Sequence, residues 1–223
     1  MSKSKKISKL LLGFVKLSGF LPAMLLLKPK VYLQNKSCSR HLPKRAILMS
    51  NHTSLMDFVL HLILFPFRTI RFLMAEVLFR KGSLFSWFLY KIGGIYVDRD
   101  VCNFSFIDDS LDALGKNQIV GIFPQGRLPV NGKPFPFKPG IVLVALRTDS
   151  PIVPIYTDGN YGLFKRAHVM IGEEIFLRDY VNTSDVSNVS DAEIKQLTKI
   201  LEDKTYSLKD ELEKRMNTSH GKQ

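Results

Sequence analysis

The fold is decided by residues 46 to 65, which read AILMSNHTSLMDFVLHLILF. Residues 46 to 49 form a short apolar run that predicts a buried strand. Residues 54 to 65 are also mostly apolar, but their length fits a helix better than a strand. The polar residues between them mark a loop, with Thr53 or Ser54 as the predicted helix N-cap. The segment therefore predicts the strand–loop–helix unit of an α/β fold.

The same alternation continues towards the C-terminus. Further strands are predicted at 94 to 97, 118 to 123, 152 to 156 and 167 to 171, and further helices at 106 to 114 and 140 to 146. This order predicts an α/β fold in which a mixed sheet is flanked by helices. We assign the α/β domain to residues 31–216 and expect a flexible tail at residues 217–223.

A long amphipathic helix is predicted before that tail. Ser190 and Glu193 have the spacing of a capping box, in which two side chains satisfy the free N–H groups of a helix start. A stripe at helical spacing follows, formed by Ile194, Leu197, Leu201, Thr205, Leu208 and Leu212. One such stripe indicates a helix packed on the domain rather than a coiled coil.

The first 30 residues join a basic start to an apolar run. The basic start contains Lys3, Lys5, Lys6 and Lys9, and the apolar run extends from 10 to 27. A cleaved signal peptide is disfavoured because residues 28 to 30 read Lys-Pro-Lys where a cleavage site needs small residues. A spanning helix is disfavoured because the run is barely long enough and contains Lys16 and Pro22.

Helical spacing favours amphipathic helices that lie in the plane of a membrane surface. Lys5, Lys9, Gly13 and Lys16 share one predicted face, and Ile7, Leu11, Phe14, Leu17 and Leu21 share the other. Pro22 is expected to end this helix and to start a second short one over residues 23 to 27. Residues 1–30 are thus predicted to associate with anionic lipid. A helix packed on the core behind a solvated lysine tail remains the alternative.

The charge balance limits the classes of partner. Thirty-two Lys and Arg against 20 Asp and Glu give a net charge of +12, which favours nucleic acid, anionic lipid or an acidic carrier. The lysines are dispersed or flank the apolar run, so nucleic-acid binding is disfavoured.

A content of 45% hydrophobic and 23% charged residues excludes a disordered, collagen-like or polytopic membrane protein. Cys38 and Cys102 lack a CxxC pattern, which favours a reducing compartment.

The predicted loop before the first long helix carries a candidate catalytic pair. His52 lies just outside that helix and Asp57 lies in its first turns, so the two side chains can meet. A carboxylate fixes the tautomer of an imidazole and stabilises its cation, as a general base requires. Asp57 and His61 also have the spacing of two metal ligands on one helix face, but no third ligand of suitable spacing follows.

Two arginines follow predicted strand ends. Arg99 ends the segment GGIYVDR at 93 to 99, and Arg127 ends FPQGR at 123 to 127. Ligands of open α/β sheets bind at such strand ends. The planar guanidinium group matches phosphate oxygens, while Gly126 allows the backbone to approach closely. A surface ion pair at Arg99 and an ordinary turn at Gly126 are the structural alternatives.

Four segments together resemble the motif blocks of the PlsC-like glycerolipid acyltransferases, whose best-known members are the 1-acylglycerol-3-phosphate acyltransferases. The segments are His52 with Asp57, residues 94 to 99, residues 123 to 127, and Val-Pro-Ile at 153 to 155. The resemblance covers about residues 40 to 180. It implies an α/β acyltransferase sheet, His52 as base with Asp57 as its partner, and a membrane-resting element of two N-terminal helices. It also implies that Arg99, Gln125, Gly126 and Arg127 bind the acceptor phosphate.

The activity implied by the resemblance is fatty acyl transfer from a thioester to the free hydroxyl of 1-acylglycerol-3-phosphate, giving phosphatidic acid for phospholipid synthesis. The donor is acyl-CoA or acyl carrier protein, and neither a metal nor another cofactor is expected. The family's third block usually reads Phe-Pro-Glu-Gly, so Gln125 departs from it and leaves another lipid hydroxyl open as acceptor. The expected partners are an anionic membrane surface and a lysophospholipid, at the cytoplasmic face of the cell membrane, in peripheral or monotopic attachment.

Overall fold

A computed structural model describes residues 7–98, 105–181 and 188–220 of the chain. Arg99, Cys102 and the first three lysines, Lys3, Lys5 and Lys6, lie outside the described residues. The helices are α1 (Lys9–Leu27), α2 (Met56–Leu64), α3 (Glu76–Phe79), α4 (Ser83–Lys91), α5 (Ser105–Gly115), α6 (Gly140–Thr148) and α7 (Asp191–His220). The strands are β1 (Lys30–Leu33), β2 (Ala46–Ser50), β3 (Ile70–Ala75), β4 (Ile95–Val97), β5 (Ile119–Ile122), β6 (Ile152–Thr157) and β7 (His168–Ile171). A short 3-10 helix covers Leu177–Tyr180.

The strands form one seven-stranded sheet in the order β1-β7-β6-β2-β5-β3-β4. The central strand β2 is parallel to β5 and β6, while β7 runs antiparallel to β6. The prediction of a mixed α/β sheet flanked by helices is therefore confirmed. Because β2, β5 and β6 point the same way, the loops after their C-terminal ends meet at one edge of the sheet.

Both faces of the sheet are covered by helices. Along β2, Ala46 and Leu48 contribute to a core cluster with α1 and α2, whereas Ile47 and Met49 contribute to a second cluster with α6 and α7. Side chains of a strand alternate between its two faces, so this division puts the two clusters on opposite sides of the sheet. A strand buried on both faces explains why residues 46 to 49 are uniformly apolar.

The N-terminal segment forms one helix, so the predicted break at Pro22 is wrong. Pro22 lies inside the 19-residue helix α1. Proline removes one backbone donor, but the hydrogen bonds on either side keep the helix continuous. The helix is about 28 Å long. By length and composition alone it could cross a membrane, and most of its surface is not buried by the protein.

The predicted division of α1 into a basic and an apolar face also needs correction. Leu12, Ala23 and Leu27 are buried in the core, and Ile7 and Leu11 pack against it. Lys16 points towards the protein, where its Nζ donates to the carbonyl oxygens of Pro66 and Arg68 at 3.0 and 2.5 Å. The opposite side is exposed and apolar, with Leu10, Phe14, Leu17, Leu21 and Leu25. The helix is thus apolar on two sides: one side packs on the domain, and the other faces outwards.

Helix α7 begins as predicted and ends later than predicted. Ser190 Oγ accepts from the Glu193 N–H, and the Glu193 carboxylate accepts from the Ser190 N–H at 2.8 Å, which confirms the capping box. The predicted stripe is largely buried, including Leu201 and Leu208. Residues 217 to 220 continue the helix instead of forming a tail, because residues 191 to 220 contain neither glycine nor proline.

Candidate active site

His52 and Asp57 are in contact at the C-terminal edge of the sheet. His52 follows β2, and Asp57 is the second residue of α2. His52 Nδ1 and Asp57 Oδ2 are 2.9 Å apart, and the Asp57 side chain is fully buried while that of His52 is 16% exposed. An ionised carboxylate can only accept a hydrogen bond, so Nδ1 carries the proton and Nε2 is the basic nitrogen. The contact predicted from the five-residue spacing is therefore present.

Helix α2 begins at Met56, and its cap residue is Leu55 rather than the predicted Thr53 or Ser54. Ser54 nevertheless supports the helix start, because its Oγ accepts from the Met56 N–H at 3.2 Å. Asp57 instead turns back towards the loop, where Oδ2 accepts from the backbone N–H groups of Thr53 and Ser54 at 2.6 and 2.9 Å. The same carboxylate thus closes the loop and orients His52.

Asp57 accepts five hydrogen bonds in all. Two hydroxyl groups, of Thr53 at 2.8 Å and of Tyr161, donate to Oδ1, in addition to the three donors on Oδ2. Burial pushes the pKa of Asp57 upwards, but the hydrogen bonds from His52, Ser54, Tyr161 and Thr53 outweigh it, so the pKa lies below its usual value. Asp57 is therefore held as a carboxylate that can stabilise an imidazolium ion.

The sequence analysis missed Tyr161. This residue lies in the loop after β6, far from Asp57 along the chain, and its hydroxyl also lies 3.2 Å from Thr157 Oγ1. Burial and the negative charge of Asp57 raise the pKa of Tyr161, so its hydroxyl stays protonated and acts as a donor. The strand predicted at 152 to 156 suggests that the loop after it reaches this edge of the sheet. Nothing in the sequence pattern, however, singles out the tyrosine within that loop.

The ends of β2 and β6 are held together by Asn51. Its side-chain Nδ2 donates to the Thr157 carbonyl at 2.9 Å, and its Oδ1 accepts from the Thr157 N–H at 2.8 Å. This paired contact fixes the residue before His52 against the strand that leads to Tyr161. Gly159 allows the close approach of the two loops, because a Cβ there would lie 2.6 Å from Thr53 Oγ1.

Gln125 contacts the backbone of His52. Its Oε1 accepts from the His52 N–H at 2.6 Å, and its Nε2 lies 3.4 Å from the Tyr206 hydroxyl. The residue is only 2% exposed, and the His52 ring stacks on Phe123 with a centroid distance of 4.3 Å. Gln125 thus supports the loop that carries His52 through an oxygen that accepts from the backbone.

Two of the other phosphate-binding candidates, Gly126 and Arg127, lie in the turn after β5. Gly126 has a φ of +68°, and its N–H donates to the Phe123 carbonyl at 2.9 Å. Arg127 is exposed beside it. Lys138, which the sequence analysis missed, also borders the turn, since its side chain would contact a Cβ added to Gly126. The turn therefore presents two cations near a backbone without a side chain, an arrangement suited to an anionic oxygen.

The metal alternative finds no support at Asp57 and His61. His61 is fully buried, and its Nδ1 lies 2.6 Å from the backbone carbonyl of Asp57 in the same helix. Burial lowers the pKa of His61. Within the ranges 7–98, 105–181 and 188–220, no group of three or more His, Cys, Asp or Glu side chains could hold an ion.

Comparison with known proteins identifies the family of the chain. A family model described as Acyltransferase matches residues 31–158. The chain is 32% identical over 122 residues to a 1-acyl-sn-glycerol-3-phosphate acyltransferase of Cocos nucifera, covering 52% of this chain and 38% of that protein. It is 30% identical over 128 residues to one of Limnanthes alba, covering 55% and 44%. The matched region thus spans less than half the length of these curated relatives.

A solved structure has the same fold. The crystal structure of the 1-acyl-sn-glycerophosphate acyltransferase PlsC from Thermotoga maritima matches with a TM-score of 0.58 at 21% identity, over 89% of this chain and 78% of that one. The family match contains the His52–Asp57 pair, the turn at Gly126 and the strand β6. On this basis the chain has a PlsC-like fold and belongs to the acyltransferase family, as the sequence motifs predicted.

Proposed function

We propose that this chain transfers a fatty acyl group from an acyl thioester to the free hydroxyl of 1-acylglycerol-3-phosphate, giving phosphatidic acid. The observation that carries the proposal is the His52–Asp57 pair, which lies beside the turn at Gly126 and its two cationic side chains, Arg127 and Lys138. The names of the curated relatives support this acceptor. Acyl-CoA or acyl carrier protein serves as the donor.

The reaction needs one base and no acyl-enzyme. His52 Nε2 removes the proton of the acceptor hydroxyl as its oxygen attacks the thioester carbonyl. Asp57 stabilises the resulting imidazolium through Nδ1. When the tetrahedral intermediate collapses, the C–S bond breaks and His52 returns the proton to the thiolate. The products are the ester and a free thiol.

The experiment that tests this proposal is a substrate panel. Purified protein receives one labelled acyl thioester with lysophosphatidic acid, other lysophospholipids and monoacylglycerol, and mass spectrometry identifies the products. We expect phosphatidic acid as the main product. Transfer to an acceptor without a phosphomonoester, with lysophosphatidic acid left unused, would contradict the acceptor. Gln125 does not favour such an acceptor, because its amide is engaged with the His52 backbone.

Arg127 is proposed to bind the acceptor phosphate, together with Arg99. A charge-assisted hydrogen bond is worth about 1.5 to 3 kcal/mol, so Arg127→Ala should weaken apparent acceptor affinity about 10- to 150-fold. The KM for the donor should change little. Steady-state kinetics with lysophosphatidic acid and monoacylglycerol measure both effects, with Lys133→Ala on the following hairpin as the control. Equal use of the two acceptors by the wild type would contradict phosphate recognition.

Tyr161 is proposed to position Asp57. Tyr161→Phe removes one donor to the carboxylate and should lower kcat about 3- to 10-fold. This loss corresponds to part of the free energy of one hydrogen bond to a charged group. The KM for the acceptor should be nearly unchanged. The lost donor raises the pKa of Asp57, so the acid limb of the pH–kcat profile should move to higher pH. Tyr180→Phe, at an exposed position, is the control, and an unshifted profile would show that Tyr161 only packs.

Membrane attachment through α1 is part of the proposal. The helix has an exposed apolar side with Leu10, Phe14, Leu17, Leu21 and Leu25, and Lys9 lies at its start. This side supports peripheral or monotopic attachment to an anionic surface, which we propose to be the cytoplasmic face of the cell membrane. Deleting the helix would also remove core residues such as Leu27, so polar substitutions on its outer side are the better test.

A further inference from the structure

The loop between β6 and β7, residues 158 to 167, presents two large apolar side chains to solvent. Leu163 is 64% exposed and Phe164 is 101% exposed. Lys165 and Arg166 follow directly and are also exposed. We call residues 163 to 166 the loop tip. Two neighbouring apolar side chains followed by two cations form a small amphipathic surface, which the reaction at His52 does not use.

The exposure of the loop tip is built into the fold. At the base of the loop, Asp158 accepts from the His168 N–H at 3.0 Å and lies 2.7 Å from His168 Nδ1. Nearer the tip, the Lys165 N–H donates to the Gly162 carbonyl at 3.0 Å. Gly162 has a φ of +146°, a conformation that a residue with a Cβ rarely adopts. These contacts hold the tip outwards.

The loop tip lies beside the C-terminal end of α1. The Gly162 N–H donates to the Leu26 carbonyl at 3.3 Å, the Ala167 N–H donates to the Leu27 carbonyl at 2.9 Å, and Lys28 Nζ donates to the Leu163 carbonyl. Leu25, on the outer side of α1, is 59% exposed next to these contacts. The loop tip therefore lies next to the end of the exposed apolar side of the helix.

This end of α1 is also the catalytic end. Lys16, in the first half of α1, contacts the turn after α2, whereas Leu26 contacts the loop whose Tyr161 hydroxyl donates to Asp57 at the start of α2. Helices α1 and α2 thus run in opposite directions. Leu163 follows Tyr161 by two positions, so the loop connects the exposed tip to the His52–Asp57 pair.

We propose that the loop tip is a second membrane-docking element, which inserts Leu163 and Phe164 into an anionic bilayer and keeps the catalytic end of the protein at the lipid surface. The proposal rests on the proposed lipid acyl transfer and extends its membrane contact beyond α1. Lys165 and Arg166 complement anionic headgroups, and the chain carries a net charge of +12. An apolar tip followed by two cations, next to a helix with an exposed apolar side, fits a lipid surface better than a protein partner.

The test measures vesicle binding separately from catalysis. Full-length wild type and Leu163→Ser/Phe164→Ser are sedimented with phosphatidylcholine vesicles, with and without phosphatidylglycerol. Loss of the two apolar side chains that are proposed to insert into the bilayer should weaken partitioning about 10- to 100-fold. Lys165→Gln/Arg166→Gln should weaken it only when phosphatidylglycerol is present, by about 5-fold per residue. Leu17→Ser/Leu21→Ser tests the outer side of α1 in the same assay.

The second part of the test measures acyl-transfer activity. Leu163→Ser/Phe164→Ser should lose activity on an acceptor carried in vesicles and keep wild-type activity on a short-chain, monomeric acceptor. Phe176→Ser is the control, because this exposed apolar residue follows Ile175, which pairs with the opposite end of β6. Wild-type sedimentation of the tip variant would overturn the proposal, and so would an equal loss in the control. Conversion of a lipid-free dimer to a monomer by the tip variant would also overturn it, in favour of a second copy as occupant.

Binding and chemistry fail independently in this design. If the substrate panel rejects glycerolipid acyl transfer but the tip variant loses vesicle binding, the docking element stands and the proposed function does not. If acyl transfer is found but the tip variant sediments normally, the docking element alone is rejected.

Discussion

Replacing His52 by alanine should lower turnover about 10²- to 10⁴-fold, the usual contribution of a positioned general base. The imidazole stacks on Phe123 and contacts Asp57, while the backbone N–H held by Gln125 remains in the variant. Asp57 keeps its contacts with Thr53, Ser54 and Tyr161. We therefore expect a folded protein that binds both substrates and transfers acyl groups very slowly.

Circular dichroism and steady-state kinetics together check this result. His41→Ala is the matched control, because His41 is exposed before β2 and away from the pair. A folded His52→Ala protein that retains more than roughly a tenth of wild-type kcat would contradict the role of His52 as base, since the loss would fall below the expected range.

Asp57→Asn should cause a loss of about 10²- to 10⁴-fold as well, for a different reason. The amide cannot stabilise an imidazolium by charge, and its NH₂ group would meet donors at an oxygen position that now accepts several hydrogen bonds. Unlike His52→Ala, this substitution should also lower the free energy of unfolding, because buried donors lose their acceptor.

The pH dependence of stability separates the two roles of Asp57. Its pKa is lowered in the folded protein, so ionisation of Asp57 stabilises the fold above the unfolded-state pKa, and this contribution is lost as pH falls through the folded-state pKa. The difference in unfolding free energy between wild type and Asp57→Asn should therefore be large at neutral pH and shrink in acid. Denaturant titrations at both pH values measure it, with exposed Asp179→Asn as control. A difference that is the same at both pH values would show that the Asp57 charge adds no stability.

The strands and helices were predictable from the sequence where all side chains of a segment share the same environment. Residues 46 to 49 lie on a strand buried on both faces, so every position is apolar and the assignment is simple. Strand β3 was missed because Arg71 interrupts its apolar pattern, although the structure buries Arg71 to 3% exposure. Strand β1 was missed because it is a short edge strand beginning with Lys30, and its partner β7 is distant in the sequence.

The contact between His52 and Asp57 was predictable because both residues belong to one local unit. A spacing of five across a loop and a helix start brings the side chains of His52 and Asp57 together whatever the rest of the fold does. Tyr161 meets Asp57 only because β6 lies next to β2 in the sheet, and strand order cannot be read from local patterns. Lys138 reaches the turn at Gly126 for the same kind of reason, through a contact between its N–H and the Pro124 carbonyl.

Gln125 and Lys16 both contact residues that are distant in the sequence. Gln125 was placed at the acceptor phosphate by the resemblance of residues 123 to 127 to the family's third block, and in the structure its oxygen accepts from the His52 N–H, as the oxygen of a glutamate could. Lys16 was placed by its helical spacing on the basic face of a surface helix, yet its long side chain reaches backbone carbonyls after α2. In both residues the long side chain contacts backbone groups elsewhere in the fold, which a local pattern does not show.

The most direct test of the account compares thiol release with ester formation. Purified wild type and His52→Ala, at equal folded concentration, receive an acyl thioester and lysophosphatidic acid, and free thiol and phosphatidic acid are measured together. We predict that the wild type forms one phosphatidic acid for each thiol released and that His52→Ala forms neither above background. Thiol release without phosphatidic acid, or equal product formation by His52→Ala, would contradict acyl transfer by a His52–Asp57 base.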